Sequence, residues 1–197
     1  MKKTLVLMLL SALLSTPVYA QGENYVETAI RDGVVLGDEN GNINAERNVT
    51  RGEFAVILTK FLNLSGGVNT FADVSPHDWF ASALASTNHH SLIVGDEFGN
   101  ARPYDNITRQ DAVTILGRYY EAKAQNVTIS QDVSNYAKEY WAYALSNGIL
   151  TQDDPKEHVT KGEILGLLYE FDKKGTTGVR FRSGYPKYHT NLAFWDM

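Results

Sequence analysis

The chain has 197 residues, 43% of them hydrophobic and 21% charged, with a net charge of −5 and no cysteine. That acidic balance excludes the broad basic field a nucleic-acid partner needs, and the missing cysteine excludes a disulfide framework and a lipidated N-terminal cysteine. An anionic ligand would have to be caught by a few local cations.

Met1, Lys2 and Lys3 precede an apolar stretch over 5–14, and Val18-Tyr19-Ala20 is a small-x-small cleavage signature. The pattern reads as a secretory signal peptide at 1–20, because its apolar core is too short to cross a bilayer. Export follows, with Gln21 as the first mature residue. No later window is apolar enough for a membrane span, so none is expected after cleavage.

From there the sequence repeats itself. At an offset of 58 residues, Gly37-Asp38-Glu39-Asn40-Gly41-Asn42 falls on Gly95-Asp96-Glu97-Phe98-Gly99-Asn100, and Asn48-Val49-Thr50-Arg51 falls on Asn106-Ile107-Thr108-Arg109. Eight of the fifteen positions over 37–51 are identical to their partners, so self-similarity is the first organising fact. A looser third copy ends in Val159-Thr160-Lys161-Gly162-Glu163. Each copy runs from an apolar knot (Val34-Val35-Leu36, Leu92-Ile93-Val94, Ile149-Leu150) through a polar loop to a Thr-basic-x-acid motif. Upstream, Phe71-Ala72-Asp73-Val74 leads to Trp79, and Asp132-Val133 leads to Tyr136; the first copy lacks this lead-in.

The spacing predicts two helices per copy. The first run over 25–32, 79–88 and 138–147, with Gly33 and Gly148 as left-handed stops. The second begin at the motif and carry an apolar stripe: Phe54, Ile57, Leu58, Phe61; Ala112, Ile115, Leu116, Tyr119; Ile164, Leu167, Leu168, Phe171. These repeat at the period of one buried helical face. The expectation is a mostly α fold of three helix-loop-helix units about a shared axis, with linkers at 65–67 and 124–130. The units span 21–64, 71–124 and 129–174, followed by a short C-terminal extension over 175–197, rich in Gly, basic and aromatic residues.

Within the motif, Thr50 with Glu53, Thr108 with Asp111 and Thr160 with Glu163 have capping-box spacing, a structural role. Capping does not explain Arg51, Arg109 and Lys161, which stand at the first helical position, where the dipole disfavours a cation. Three cations at one place point to an anion site made of a cation and free helix amides; pairing with a neighbouring unit's acid is the alternative. On the first reading, Arg109→Ala should leave stability unchanged or slightly raised, because it removes a cation from the wrong helix end.

Together these elements, Phe71-Ala72-Asp73-Val74 to Trp79, Leu92-Ile93-Val94-Gly95, Phe98-Gly99-Asn100 to Pro103 and Ile107-Thr108-Arg109, resemble the S-layer homology repeat. The resemblance implies three repeats about a pseudo-threefold axis, with grooves between them that bind an acidic, often pyruvylated, secondary cell-wall polysaccharide. It implies that Arg51, Arg109 and Lys161 meet the acidic sugar, the second repeat most surely because its motif is most complete. Trp79 and Tyr136 are weaker candidates as sugar platforms, and Gly37 and Gly95 would let the loop approach the ligand. A secreted, cell-wall-located anchor is the expected function; a degenerate structural module for protein association is its rival.

No enzyme, cofactor or metal is expected. Asp38 to Asn44 imitates a calcium loop, but Gly41 comes early and Val49 stands where Glu is required. The sequons at Asn48 and Asn106 are by-products of the capping motif, Asn126 opens a third, and His89-His90 point apart on a helix. No nucleophile, zinc or phosphate-loop motif occurs. The tail with Arg180, Arg182, Lys187 and Trp195 reads equally as a strap on the third unit or as a docking segment for another surface protein.

Overall fold

The computed structural model describes residues 24–123, 127–129, 132–151 and 154–175. The signal peptide and the tail from 176 onward lie outside the described residues. Six helices follow in order: α1 (Tyr25–Arg31), α2 (Arg51–Leu62), α3 (Ala81–His89), α4 (Arg109–Tyr119), α5 (Lys138–Ser146) and α6 (Lys161–Gly175). Each copy therefore contributes a short helix and a longer one, as the stripe spacing predicts. The stripe residues are buried, except Phe61 and Tyr119, which are half-buried.

The short helices stop where expected. Gly33 (φ 70°) and Gly148 (φ 67°) take left-handed geometry after α1 and α5. In each case the amide after the glycine returns to the helix: Val34 N–H bonds the Ala29 carbonyl at 2.9 Å, and Ile149 N–H bonds Ala144 at 2.8 Å. The middle copy makes the same turn with Ser91 (φ 58°), a position the sequence does not flag. The stretch at 65–67, read as a linker, is packed closely on α3: a Cβ on Gly67 would lie 2.4 Å from the Ala85 carbonyl oxygen.

Helix pairing crosses the copies. The long helix of one copy packs on the short helix of the next, α2 on α3 and α4 on α5, and the series closes with α6 on α1. At the closure Tyr25 stacks on Tyr169 with ring centroids 5.5 Å apart. The Tyr25 hydroxyl donates to buried Glu170, and the Tyr169 hydroxyl donates to Asp32 at 2.9 Å. A first copy without its lead-in thus still supplies the partner of the last helix.

A second ring of contacts joins the motifs. Ile107 N–H donates to the Val49 carbonyl at 2.9 Å, Val159 N–H to Ile107 at 3.2 Å, and Val49 N–H to Val159 at 3.1 Å. Three isolated antiparallel bridges, Asn48 with Thr160, Thr50 with Asn106 and Thr108 with His158, mark the same closed cycle. Val49, Ile107 and Val159 are fully buried at its centre. Amides that would be costly to bury unpaired are all satisfied by a neighbouring copy.

The lead-in holds the following loop. Phe71 and Val74 are buried, while the Asp73 carboxylate accepts from Ala101 N–H at 2.8 Å and Arg102 N–H at 2.7 Å. Asp38, from the calcium-like run, and its counterpart Asp96 also serve their own loops. Asp38 accepts from the amides of Asn40 and Asn42, and Asp96 from those of Phe98 and Asn100, each at 2.9 Å. These amide bonds hold both carboxyls below the usual carboxylate range. Among the described residues no cluster of metal-ligating side chains occurs, and no helix is long and apolar enough to cross a membrane.

Candidate functional site

The motifs sit at the three junctions between copies. Thr50 and Thr160 form complete capping boxes: their hydroxyls accept the amides of Glu53 and Glu163 at 3.3 Å, and their own amides donate back to those carboxylates. Thr108 forms half a box. Its hydroxyl accepts the Asp111 amide at 3.3 Å, but the Asp111 carboxylate accepts instead from the Tyr136 hydroxyl at 2.6 Å.

The free helix amides expected beside the cations are not free. Arg51 and Gly52 N–H donate to the carbonyls of Asp105 and Pro103 in the next copy. Arg109 and Gln110 donate likewise to Glu157 and Pro155, and Lys161 and Gly162 to Arg47 and Ala45, all at 2.8–2.9 Å. The loop of the following copy consumes both leading amides of every long helix, so the cation side chain alone can attract an anion.

Those side chains stand in unlike surroundings. Arg109 is 4% exposed. Its guanidinium donates to the Asp154 carbonyl at 2.6 Å, to Glu157 at 3.0 Å and to Glu163 at 2.9 Å. The expectation that the second repeat holds the clearest ligand cation meets a guanidinium already neutralised by the third copy, and the expected indifference of stability to its removal reverses. Lys161 donates to the Ile43 carbonyl at 2.9 Å. Burial and the neighbouring Arg47 charge lower its pKa, against the opposing pull of Glu53 and Asp38. There the acid of the capping box, Glu53, is paired with Arg47.

Arg51 differs from both. Half-buried, it uses Nε to donate to the Ala101 carbonyl at 2.8 Å, and among the described residues no carboxylate lies within ion-pair distance of its guanidinium. The two acids matching those that clamp Arg109 are engaged elsewhere, Asp105 with Arg102 and Asp111 with Tyr136. Tyr136, half exposed, has its hydroxyl pushed up to about 12 by burial and by Asp111, with the Arg51 charge acting the other way. An aromatic row adjoins this junction: Trp79, Phe80 and Tyr104 meet edge to face at 5.2 and 5.4 Å, the outer two 64% and 71% exposed. Gly52 makes room for it, since a Cβ there would lie 2.9 Å from the Phe80 ring.

Gly37 and Gly95, expected to admit a ligand, are crowded by the protein itself. A Cβ on Gly37 would meet the Gly41 backbone at 2.5 Å, and one on Gly95 the Phe71 ring at 3.1 Å. Tyr104 and Asp111 are side chains at this junction that sequence reasoning did not consider for ligand contact. The signal for Tyr104 was its place four residues before Thr108, where the other copies have Glu46 and Lys156.

Two carboxyls at the junctions should make the fold acid-sensitive. Burial pushes Glu53 and Glu163 up, but Arg47 and the Thr50 amide outweigh it for Glu53, as the Thr160 amide and Arg109 do for Glu163. Both stand below their ordinary value of 4.5. A depressed folded-state pKa contributes stability that is complete above the unfolded value and lost as pH falls through the folded one. The melting temperature should therefore hold down to about pH 4.5 and decline below it; a flat profile to about pH 3 would contradict the assignment.

A family model described as the S-layer homology domain matches residues 16–55 and 70–113. The chain is 31% identical over 131 residues to the surface-layer 125 kDa protein of Lysinibacillus sphaericus, covering 64% of this chain and 11% of that protein. It is 31% identical over 115 residues to a cellulosome-anchoring protein of Acetivibrio thermocellus, with coverages of 54% and 26%. An amylopullulanase of Thermoanaerobacterium thermosulfurigenes is 29% identical over 163 residues, 75% of this chain but 9% of the enzyme. The chain thus spans a small fraction of the relatives it matches. The family match thus falls on the first two copies of the repeat, and these surface-protein relatives extend the likeness along the chain.

Proposed function

We propose that this chain is a non-catalytic, exported module that holds its protein at the cell surface by binding an acidic, pyruvylated envelope polysaccharide. In this reading residues 21–64, 71–124 and 129–174 are three repeats of one anchoring unit. The observation that carries it is Arg51, a guanidinium presented at a repeat junction beside exposed aromatic rings. A planar cation next to aromatic surface suits a carboxylate-bearing sugar, whose ring can lie on the aromatic face. The cell-surface character of the relatives supports the location.

The test is co-sedimentation of the mature protein with cell-wall sacculi before and after removal of their polysaccharide. Binding should vanish from stripped sacculi and should weaken, without disappearing, as salt is added, because a partly buried charge pair is screened less than an exposed one. Unchanged sedimentation with stripped sacculi would instead favour protein association, for which exposed Phe98 offers apolar surface.

A further inference from the structure

We propose that the segment Phe194-Trp195-Asp196-Met197 docks on the loop of the first copy and takes the place of that copy's missing lead-in. In the second copy the lead-in grips the loop that follows at three points. The Phe71 ring packs on Gly95, the Ala72 amide donates to the Gly99 carbonyl at 3.0 Å, and the Asp73 carboxylate takes the amides of Ala101 and Arg102. Phe71 and Val74 are buried there, and Ala101 is fully covered.

The first copy has the same loop without that occupant. Gly41 (φ 79°) and Asn44 (φ 55°) repeat the turns of Gly99 (φ 77°) and Arg102 (φ 54°), and Asp38 braces its loop as Asp96 does. At the offset of 58, the counterparts of Phe71 to Val74 are Leu13-Leu14-Ser15-Thr16, which carry no acid. Among the described residues nothing takes the amides of Ile43 and Asn44, and no amide reaches the Gly41 carbonyl. Ile43, the counterpart of Ala101, is only half-buried. Lacking a ring to pack on, the loop is drawn in: a Cβ on Gly37 would lie 2.5 Å from the Gly41 carbonyl carbon, against 3.3 Å between Gly95 and Gly99.

Phe-x-Asp occurs twice in the chain, at Phe71 and at Phe194, and each time an apolar residue follows, Val74 and Met197. In the docked segment Phe194 fills the place of Phe71, and Asp196 holds the two open amides by charge-assisted bonds. Met197 covers what Val74 covers in the second copy, and Trp195 falls where Ala72 is exposed, so its size meets no wall. The segment can reach. α6 rests on α1 and ends at Gly175, and the 18 residues over 176–193 span up to about 60 Å when extended, against roughly 40 Å across a domain of this size. Charge favours the same return: residues 21–175 hold 22 acidic and 13 basic side chains, whereas 176–197 hold one acidic and three basic, so the tail is drawn to the body.

The experiment follows amide hydrogen exchange in the full mature chain by nuclear magnetic resonance. The amides of Ile43 and Asn44 should exchange about 10- to 100-fold faster in Asp196→Ala than in the native chain, with Ala101 and Arg102 unchanged. Asp73→Ala should do the opposite, releasing Ala101 and Arg102 and sparing the first copy. Phe194→Ala should free the same two amides as Asp196→Ala and lower the melting temperature by roughly 3 to 10 °C. Unprotected Ile43 and Asn44 amides in the native chain, or equal protection in Asp196→Ala, would overturn the proposal. Protection that fades on dilution would mean that a second copy supplies the segment, and would overturn closure within one chain.

Discussion

Arg109→Ala should cost the fold about 3 kcal/mol and lower the melting temperature by roughly 6 to 12 °C. The substitution removes three donations made across a junction, among them the one to half-buried Glu163. It also orphans the Asp154 carbonyl. Breaking a buried pair from one side costs more than the pair contributes, since the remaining charge is left uncompensated. The high exposure of Glu157 keeps the figure at the lower end of the usual range. Arg109→Lys should recover part of the loss, because a point charge cannot reach three acceptors as a planar fork does. Thermal melts of both variants decide the matter, and an unaffected Arg109→Ala would return this residue to the pool of ligand cations.

Trp141→Ala should be at least as damaging, by about 3 to 5 kcal/mol. Trp141 on α5 is fully buried and is among the largest side chains with no exposure. Its helix packs on α4 so closely that Gly117 has no room for a methyl group; a Cβ there would sit 2.3 Å from the Tyr140 ring. Neither helix can shift inward to fill the cavity, so the cost should approach the full cavity term. The indole nitrogen has no hydrogen-bond partner among the described residues. Trp141→Phe loses only volume, with no bond to break, and should cost about 1 to 2 kcal/mol. Chemical denaturation of the two variants separates volume from hydrogen bonding; equal losses would mean that the nitrogen has a partner after all.

What the sequence made legible was local. The stripes beginning at Phe54, Ala112 and Ile164, the Thr caps and the stops at Gly33 and Gly148 depend on neighbours within about one or two helical turns, which periodicity and capping chemistry report directly. The fate of the cations depends on residues far along the chain. Arg109 meets acids 48 and 54 positions away, and Asp111 is claimed by a hydroxyl 25 positions away. The best-preserved motif therefore suggests the best ligand site, whereas its Arg is the one most fully neutralised. A usable signal did exist. The third copy places Glu at both positions three residues before and after its Thr, and the second copy places the shorter Asp at both. Comparing those acids, rather than the cations, separates a closed junction from an open one.

The cyclic exchange of amides among Val49, Ile107 and Val159 limits how such a chain can grow. An open stack of repeats ends in capping units and lengthens by adding one more, because each unit needs only its two neighbours. Here every motif already has its donor and its acceptor, and α6 already rests on α1. A fourth unit would find no vacant edge, and a chain cut to two would expose one. Duplication in such a lineage would have to proceed in whole sets of three, with each set a separate bead on the chain.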